Sequence, residues 1–382
     1  MKILYGVVGE GMGHAIRSRV VLTHLVESGH EVKVVVSGRA HGFLAKHFKD
    51  VVEIAGLPLV YKENAVDRDR TAWKIFAEAP SYALENVQAY MRDVRHFEAD
   101  IVISDFDSFA HVYGIRHNKP VISIDNQHAI PLFQHDDDVL EMRDAAGNLV
   151  HDYHNDFDLA RRIIRNKMRG CVHYFVTSFF APQVREKYAS RTTVVPPILR
   201  PEVLARKATA NRGDHLLVYQ TSASYVELLD VLKKVGVECR VYGFLRPDSK
   251  PPAGTREGDD IRYAPNVLLR AFSEEKFVDD LASSRAVVAG GGFTVLGEAV
   301  YLGKPIYSVP IHKHFEQIVS ARYLVKLGYG EHHEGVTEGE LKAFLAKTDE
   351  YAKALEAHHQ EGNQKLFAAL DTELTLHAGT LA

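Results

Sequence analysis

Short apolar runs alternate with amphipathic stretches along the first half of the chain. The runs at residues 3–8, 31–36, 101–104, 121–125 and 172–177 are bounded by Gly, Asp, Asn or Pro. Runs of this length, without regular polar alternation, are those of strands buried on both faces. After the first run, residues 15–28 set Ile16, Val20, Leu22 and Leu25 on roughly one side of a helix, with Gly29 placed to cap it. A longer amphipathic stretch, 71–97, predicts one or two further helices. Strand and helix in alternation mean a parallel sheet covered on both faces.

Three prolines, Pro196, Pro197 and Pro201, then interrupt the pattern within residues 194–201. A segment of this kind continues neither a helix nor a central strand and reads as a stiff, extended linker. Beyond it the alternation restarts: strand 215–219, helix 225–234, strand 238–242, helix 274–283, strand 286–289, helix 293–302 and strand 305–308. A charged, helical tail without turn signals covers 349–370. With 382 residues the chain has room for two cores. The expected units are 1–196 and 202–360, with 361–382 a C-terminal helix placed to pack back on the first. Two parallel sheets facing each other at their carboxyl ends form a ligand cleft.

Composition narrows the partners by exclusion. A net charge of −4 provides no basic surface for nucleic acid. Two cysteines, Cys171 and Cys239, rule out a disulfide framework or a Cys-rich zinc site and fit a reducing cytoplasm. No stretch approaches 18 uninterrupted apolar residues, so no transmembrane segment is expected, while peripheral membrane contact stays open. The N-terminus runs into a strand without a signal-like segment, and a cytoplasmic location is expected.

Two glycine-rich turns carry the chemistry. The first, Gly9-Glu10-Gly11-Met12-Gly13-His14, follows the first strand and opens the first helix. A dinucleotide fingerprint wants glycine where His14 stands, and the second strand ends Val36-Ser37-Gly38 with no carboxylate for a ribose, which argues against a nicotinamide dehydrogenase. Glycines let the backbone approach a ligand, and an imidazole beside them can take a proton near neutral pH. Asp105 and Asp107 close the fourth strand on the same rim, where Asp105 is placed to orient His14. Asp107, and His128 in the polar stretch 127–150, are candidate acceptor contacts.

The second turn, Gly290-Gly291-Gly292-Phe293-Thr294, joins a strand to a helix whose free N–H groups and dipole suit a diphosphate. Glu298 follows on that helix, where it is a candidate for ribose hydroxyls. After Gly303-Lys304-Pro305 and the next strand, Glu316 and Gln317 open another helix as candidate acceptors for sugar hydroxyls. His312 and His314 form a His-x-His pair, but no further ligands follow at a metal-site spacing.

Gly292 with Glu298 six residues later, the Gly-x-Pro turn and the acidic-Gln pair together resemble the nucleotide-sugar site of GT-B glycosyltransferases, in the UDP-glycosyltransferase and MurG-like branch. The resemblance implies two Rossmann-like α/β domains facing across a cleft, the first binding an acceptor and the second a nucleotide sugar. It implies an inverting reaction with His14 as base and Asp105 as its partner. It assigns donor contacts to Gly11, Gly13, Thr221, Ser222, Phe272, Gly291, Gly292, Phe293, Thr294, Glu298, Glu316 and Gln317. The partners implied are an unidentified acceptor and the donor, a UDP- or other nucleoside-diphosphate sugar, with no cofactor and no bound metal. An epimerase on the same fold, or a non-catalytic nucleotide-sugar binder, is the alternative. The acceptor and the donor base stay open.

Overall fold

The apolar runs become largely buried strands, and the strands assemble into two sheets of seven. The structure is a computed structural model. It describes all residues except 10, 57–60, 63, 64, 67, 145, 221–226, 246–257, 313 and 379–382, and only the backbone of 61, 62, 65, 66 and 68–77. The first sheet contains β1 (Lys2–Val7), β2 (Glu31–Ser37), β3 (Val51–Ile54), β4 (Ile101–Asp105), β5 (Val121–Asp125), β6 (His173–Thr177) and β7 (Thr192–Val195). Their order is β7-β6-β5-β4-β1-β2-β3, all parallel. The chain winds from β1 out to β3 and then crosses back to β4, so the order reverses between β1 and β4. A crevice opens at the carboxyl ends of such a pair.

The second sheet repeats this plan with β8 (Leu216–Tyr219), β9 (Cys239–Leu245), β10 (Ile261–Ala264), β11 (Val267–Ala271), β12 (Ala286–Ala289), β13 (Ile306–Ser308) and β14 (Gly330–His332). The order is β10-β11-β9-β8-β12-β13-β14, parallel except for β10 against β11. Its switch point lies between β8 and β12. Four of the strands absent from the sequence pattern, β3, β7, β10 and β14, are the sheet edges. Edge strands take their register from a neighbour's backbone, and apolar patterning marks them poorly. Five helices build the cleft and its supports: α1 (Met12–Glu27), α2 (Ser108–Arg116), α3 (Phe293–Tyr301), α4 (Phe315–Lys326) and α5 (Gln364–Ala378).

The proline segment differs from a solvated spacer. Val194 and Val195 belong to β7, and Ile198, Leu199 and Arg200 are buried. The tail is also not one helix. It ends a first helix at Leu355, turns through Gly362 at φ 60°, and resumes as α5. The break exists because this segment crosses beside the linker. Asn363 accepts from Leu199 N at 2.9 Å through Oδ1 and donates to Leu199 O at 2.7 Å through Nδ2. Gln360 Nε2 donates to Pro197 O at 2.7 Å. The two crossings between the units are thus stitched together. Past them α5 buries Leu366, Leu370 and Leu374 in the core that holds Ile3, Tyr5 and Leu22 under the first sheet. Among the described residues no helix is long and apolar enough to cross a membrane.

Leu370 is fully buried at that contact. Leu370→Ala is expected to cost about 2–5 kcal/mol in urea unfolding. A loss well under 1 kcal/mol would mean that α5 is not docked in solution.

Candidate active site

The first glycine turn sets α1 over the end of β4. Val7 and Asp105 are neighbours across the β1–β4 ladder, Gly11 at φ 85° turns the chain, and the first turn of α1 carries His14 back to Asp105. His14 Nδ1 lies 2.9 Å from Asp105 Oδ1. Sequence reasoning missed the third member, Arg17, three residues along the same helix face. Its Nε donates to Asp105 Oδ2 at 2.8 Å, and its Nη2 donates to Oδ1. Nη1 donates to Asn126 Oδ1 at 2.6 Å, and Ser18 Oγ donates to Asp105 Oδ2 at 3.0 Å.

Asp105 is 1% exposed. Burial pushes its carboxyl up, but the charge of Arg17, then that of His14, and their hydrogen bonds outweigh it and hold the group well below the usual carboxylate range. Burial likewise works against the charge of Arg17, and Asp105, with smaller help from Asp125 and Glu316, overcomes it. Arg17 Nη2 also lies 2.7 Å from His14 Nδ1. A carboxylate only accepts and a guanidinium only donates, so the two contacts ask opposite things of Nδ1. With Nδ1–H given to Asp105, Nε2 is the basic atom of the neutral ring, and Arg17 is then a second donor converging on the same Asp105 oxygen.

The facing wall is the start of α3. Gly291 has φ 82°, and a side chain there would sit 3.0 Å from Gln317 Cβ. Gly292, at the cap position of α3, provides no side-chain cap, so the first N–H groups of the helix suit an external anion. The two glycine turns touch: Thr294 Oγ1 donates to Gly13 O at 3.2 Å, and a Cβ on Gly13 would come within 2.8 Å of that hydroxyl. Next to them Asn126 Nδ2 donates to Glu316 Oε1 at 2.6 Å, from the end of β5 to the first turn of α4. A hydrogen-bonded path therefore runs His14, Asp105, Arg17, Asn126, Glu316 across the cleft.

Other expected contacts are engaged elsewhere. Glu298 is fully buried, and its oxygens take Arg200 Nε at 2.7 Å and Nη2 at 2.9 Å. It anchors α3 to the linker instead of facing a ribose. Gln317 is buried, and its Oε1 accepts from Ile311 N at 3.0 Å, supporting the turn before α4. The Phe293 ring is buried in a stack on Phe179, an apolar contact between the units. Asp107 is the buried cap of α2, accepting from Ala110 N at 2.8 Å, not an acceptor contact. His128 is buried too, with Nδ1 2.7 Å from Asp125 Oδ2 and its ring against Phe106 and Tyr174. Each is a polar or aromatic side chain that the fold already uses. Phe272, by contrast, is 65% exposed just beyond β11. Thr221 and Ser222 lie outside the described residues.

The stretch 127–150 is also more than a polar loop. Ala129, Ile130, Leu132 and Phe133 are buried, and the segment grips α4. His135 is hydrogen-bonded to Tyr323 OH at 2.9 Å, Tyr323 stacks on Phe180, and Lys326 pairs with Asp136 at 2.6 Å. Burial holds the His135 imidazole down at about 4, so it sits neutral in this seam.

Known proteins share this architecture. The model of the family described as Glycosyl transferase family 1 matches residues 1–348. A protein of Methanosarcina acetivorans named as an uncharacterized glycosyltransferase is 25% identical over 349 residues, covering 86% of this chain and 85% of that protein. One of the same name from Methanosarcina mazei is 24% identical over 349 residues, with the same coverage. Among solved structures, CalG4, the calicheamicin glycosyltransferase, matches with a TM-score of 0.64 at 18% identity, over 100% of this chain and 99% of its own. Phytolacca americana UGT2, solved with UDP-2fluoro-glucose and pterostilbene, matches with a TM-score of 0.60 at 13% identity, over 97% and 98%. At such identities these neighbours speak for the fold, which is the GT-B arrangement of two Rossmann-like domains.

The cap carboxyl of Asp107 generates a pH test. Burial pushes it up to about 6, against the helix N–H groups and the charge of Lys167. A carboxyl raised on folding is most favourable when protonated, so its contribution is fully present below about pH 4 and is lost as pH rises through 6. The full loss is up to about 3 kcal/mol. Asp107→Asn keeps a cap and removes the titration. The variant is expected to melt higher than wild type at pH 8 and to converge with it near pH 4. A pH-independent difference would sink this assignment.

Proposed function

The chain belongs to glycosyl transferase family 1, and on that premise we propose that it moves a sugar from a nucleoside-diphosphate sugar to an acceptor hydroxyl with inversion at the anomeric carbon. The observation that carries this reading is the 2.9 Å contact between His14 and Asp105, placed opposite the uncapped start of α3. A donor with a uridine nucleotide is supported by the fold neighbour solved with UDP-2fluoro-glucose, and the same pocket chemistry suits another nucleoside diphosphate. Both cysteines are free and buried, which fits a reducing compartment, and we place the reaction in the cytoplasm.

In this reading His14 Nε2 takes the proton from the acceptor hydroxyl as its oxygen attacks the anomeric carbon. The new carbon–oxygen bond forms as the bond to the diphosphate oxygen breaks, and the electron pair leaves with the diphosphate. Asp105 holds the Nδ1 proton and stabilises the imidazolium that develops. Arg17 keeps Asp105 ionised and fixed for that task. The N–H groups at 292–294 and the dipole of α3 stabilise the growing charge on the leaving diphosphate, so the mechanism calls for no metal. Glu316 accepts from a sugar hydroxyl and the ring of Phe272 stacks on the nucleobase; the exposure of that ring supports this part of the reading.

Two measurements test this. Thermal melting against UDP, GDP, dTDP, ADP, CMP and NAD should show a selective shift with one nucleoside diphosphate. A ligand at about 100 times its Kd adds roughly 2.7 kcal/mol. A shift with NAD alone overturns the reading. His14→Ala should then keep diphosphate binding while kcat falls about 10²- to 10⁴-fold. Unchanged turnover would remove His14 as the base, whereas a non-catalytic binder would show no turnover in either protein.

A further inference from the structure

The carboxamide of Asn126 is the one link of the cross-cleft path that belongs to neither the base nor the donor wall. It is buried, with 6% exposure, at the end of β5. Its orientation follows from chemistry: Arg17 Nη1 can only donate, so Oδ1 faces Arg17 at 2.6 Å and the amide N–H group faces Glu316 Oε1 at 2.6 Å. Glu316 is therefore held by one oxygen. Its other oxygen, Oε2, lies 3.8 Å from His314 Nδ1, and the carboxylate keeps 16% exposure. A carboxylate pinned at one oxygen by a neutral donor stays an acceptor and loses its rotational freedom, so Oε2 is presented in a single direction.

Resting on the reading of the cleft as a nucleotide-sugar site with Glu316 at the sugar, we infer that Asn126 is a specificity-determining positioning residue for the donor sugar. It fixes Glu316 so that Oε2 meets one hydroxyl of the sugar. Because Asn126 and Glu316 stand on different domains, the sugar seat is complete only when the cleft is closed, as it is here. The diphosphate seat at α3 is built from one domain and does not need it. Asn126 therefore acts on recognition of the sugar and leaves recognition of the nucleotide alone.

Binding measured in matched pairs separates the two. The pairs are UDP with UDP-glucose, GDP with GDP-mannose and dTDP with dTDP-glucose, titrated calorimetrically into the full chain. For the pair that wild type binds, Asn126→Ala should hold the free diphosphate within about twofold and weaken the nucleotide sugar about 10- to 100-fold, the scale of a lost hydrogen bond to a charged group. Asn126→Asp keeps the bond from Arg17 but sets a carboxylate against Glu316. It should fold as wild type does by circular dichroism and lose the sugar increment at least as fully. Glu316→Gln should remove the same increment, and combining it with Asn126→Ala should cost little more. Equal weakening of both ligands by the Asn126 variants, unaltered sugar binding, or additive losses in the double variant would each overturn the assignment of Asn126. Failure of wild type to bind any pair would instead overturn the nucleotide-sugar reading, and this proposal with it.

Discussion

Asp105 sits at the end of a central strand with almost no contact with solvent, and a carboxylate in that position stays ionised only if a permanent cation shares its burial. Arg17 is that cation. Its fork occupies both carboxylate oxygens, and Ser18 adds a third donor. A lone charge of either sign would be costly at this depth, so neither residue is tolerable without the other. The pair does more than satisfy itself. It clamps the first turns of α1 onto the rim of the sheet, and the position of His14 follows from that clamp.

The second domain repeats this logic with the signs exchanged. There the helix after the glycine turn brings the acid, Glu298, and the linker brings the arginine, Arg200. Each glycine-rich turn is thus followed by a helix held through a buried ion pair. In both cases the glycine turn is backed by a helix that a buried ion pair fixes. Arg200 also lies in the segment clasped by Asn363, so the anchor of α3 and the crossing between domains form one connected unit. Contacts in the seam, from Thr294 to Gly13 and from α4 to the 127–150 stretch, then set how the two rims meet.

Several of the polar side chains named as site candidates are hydrogen-bonded within the fold. Glu298, Gln317, Asp107 and His128 each carry polar atoms suited to a ligand, and each gives them to the fold. Carboxylates and amides near helix starts serve capping and ligand binding by the same hydrogen bonds, so spacing does not separate the two. Arg17 and Asn126 are the reverse case. Arg17 stands two residues from Arg19, which reaches the partly exposed Glu202, and nothing in the linear pattern tells a buried arginine from a surface one.

The inner strands, their parallel pairing and the two repeated α/β units were legible in the order of residues, because local apolar runs and glycine turns depend on neighbours a few positions away. The pairing of His14 with Asp105 was legible too, since parallel topology forces the ends of adjacent strands onto one rim. Edge strands were not, because a neighbour's backbone and not their own pattern defines them. The buried course of the linker and the break before α5 were hidden for a related reason: each depends on the other, through the clasp of Asn363 on Leu199 from far along the chain. The same holds at the site. Which acid is buried against which arginine, and which amide bridges the cleft to Glu316, is decided by desolvation and by contacts between domains, and these exist only once the chain has closed on itself.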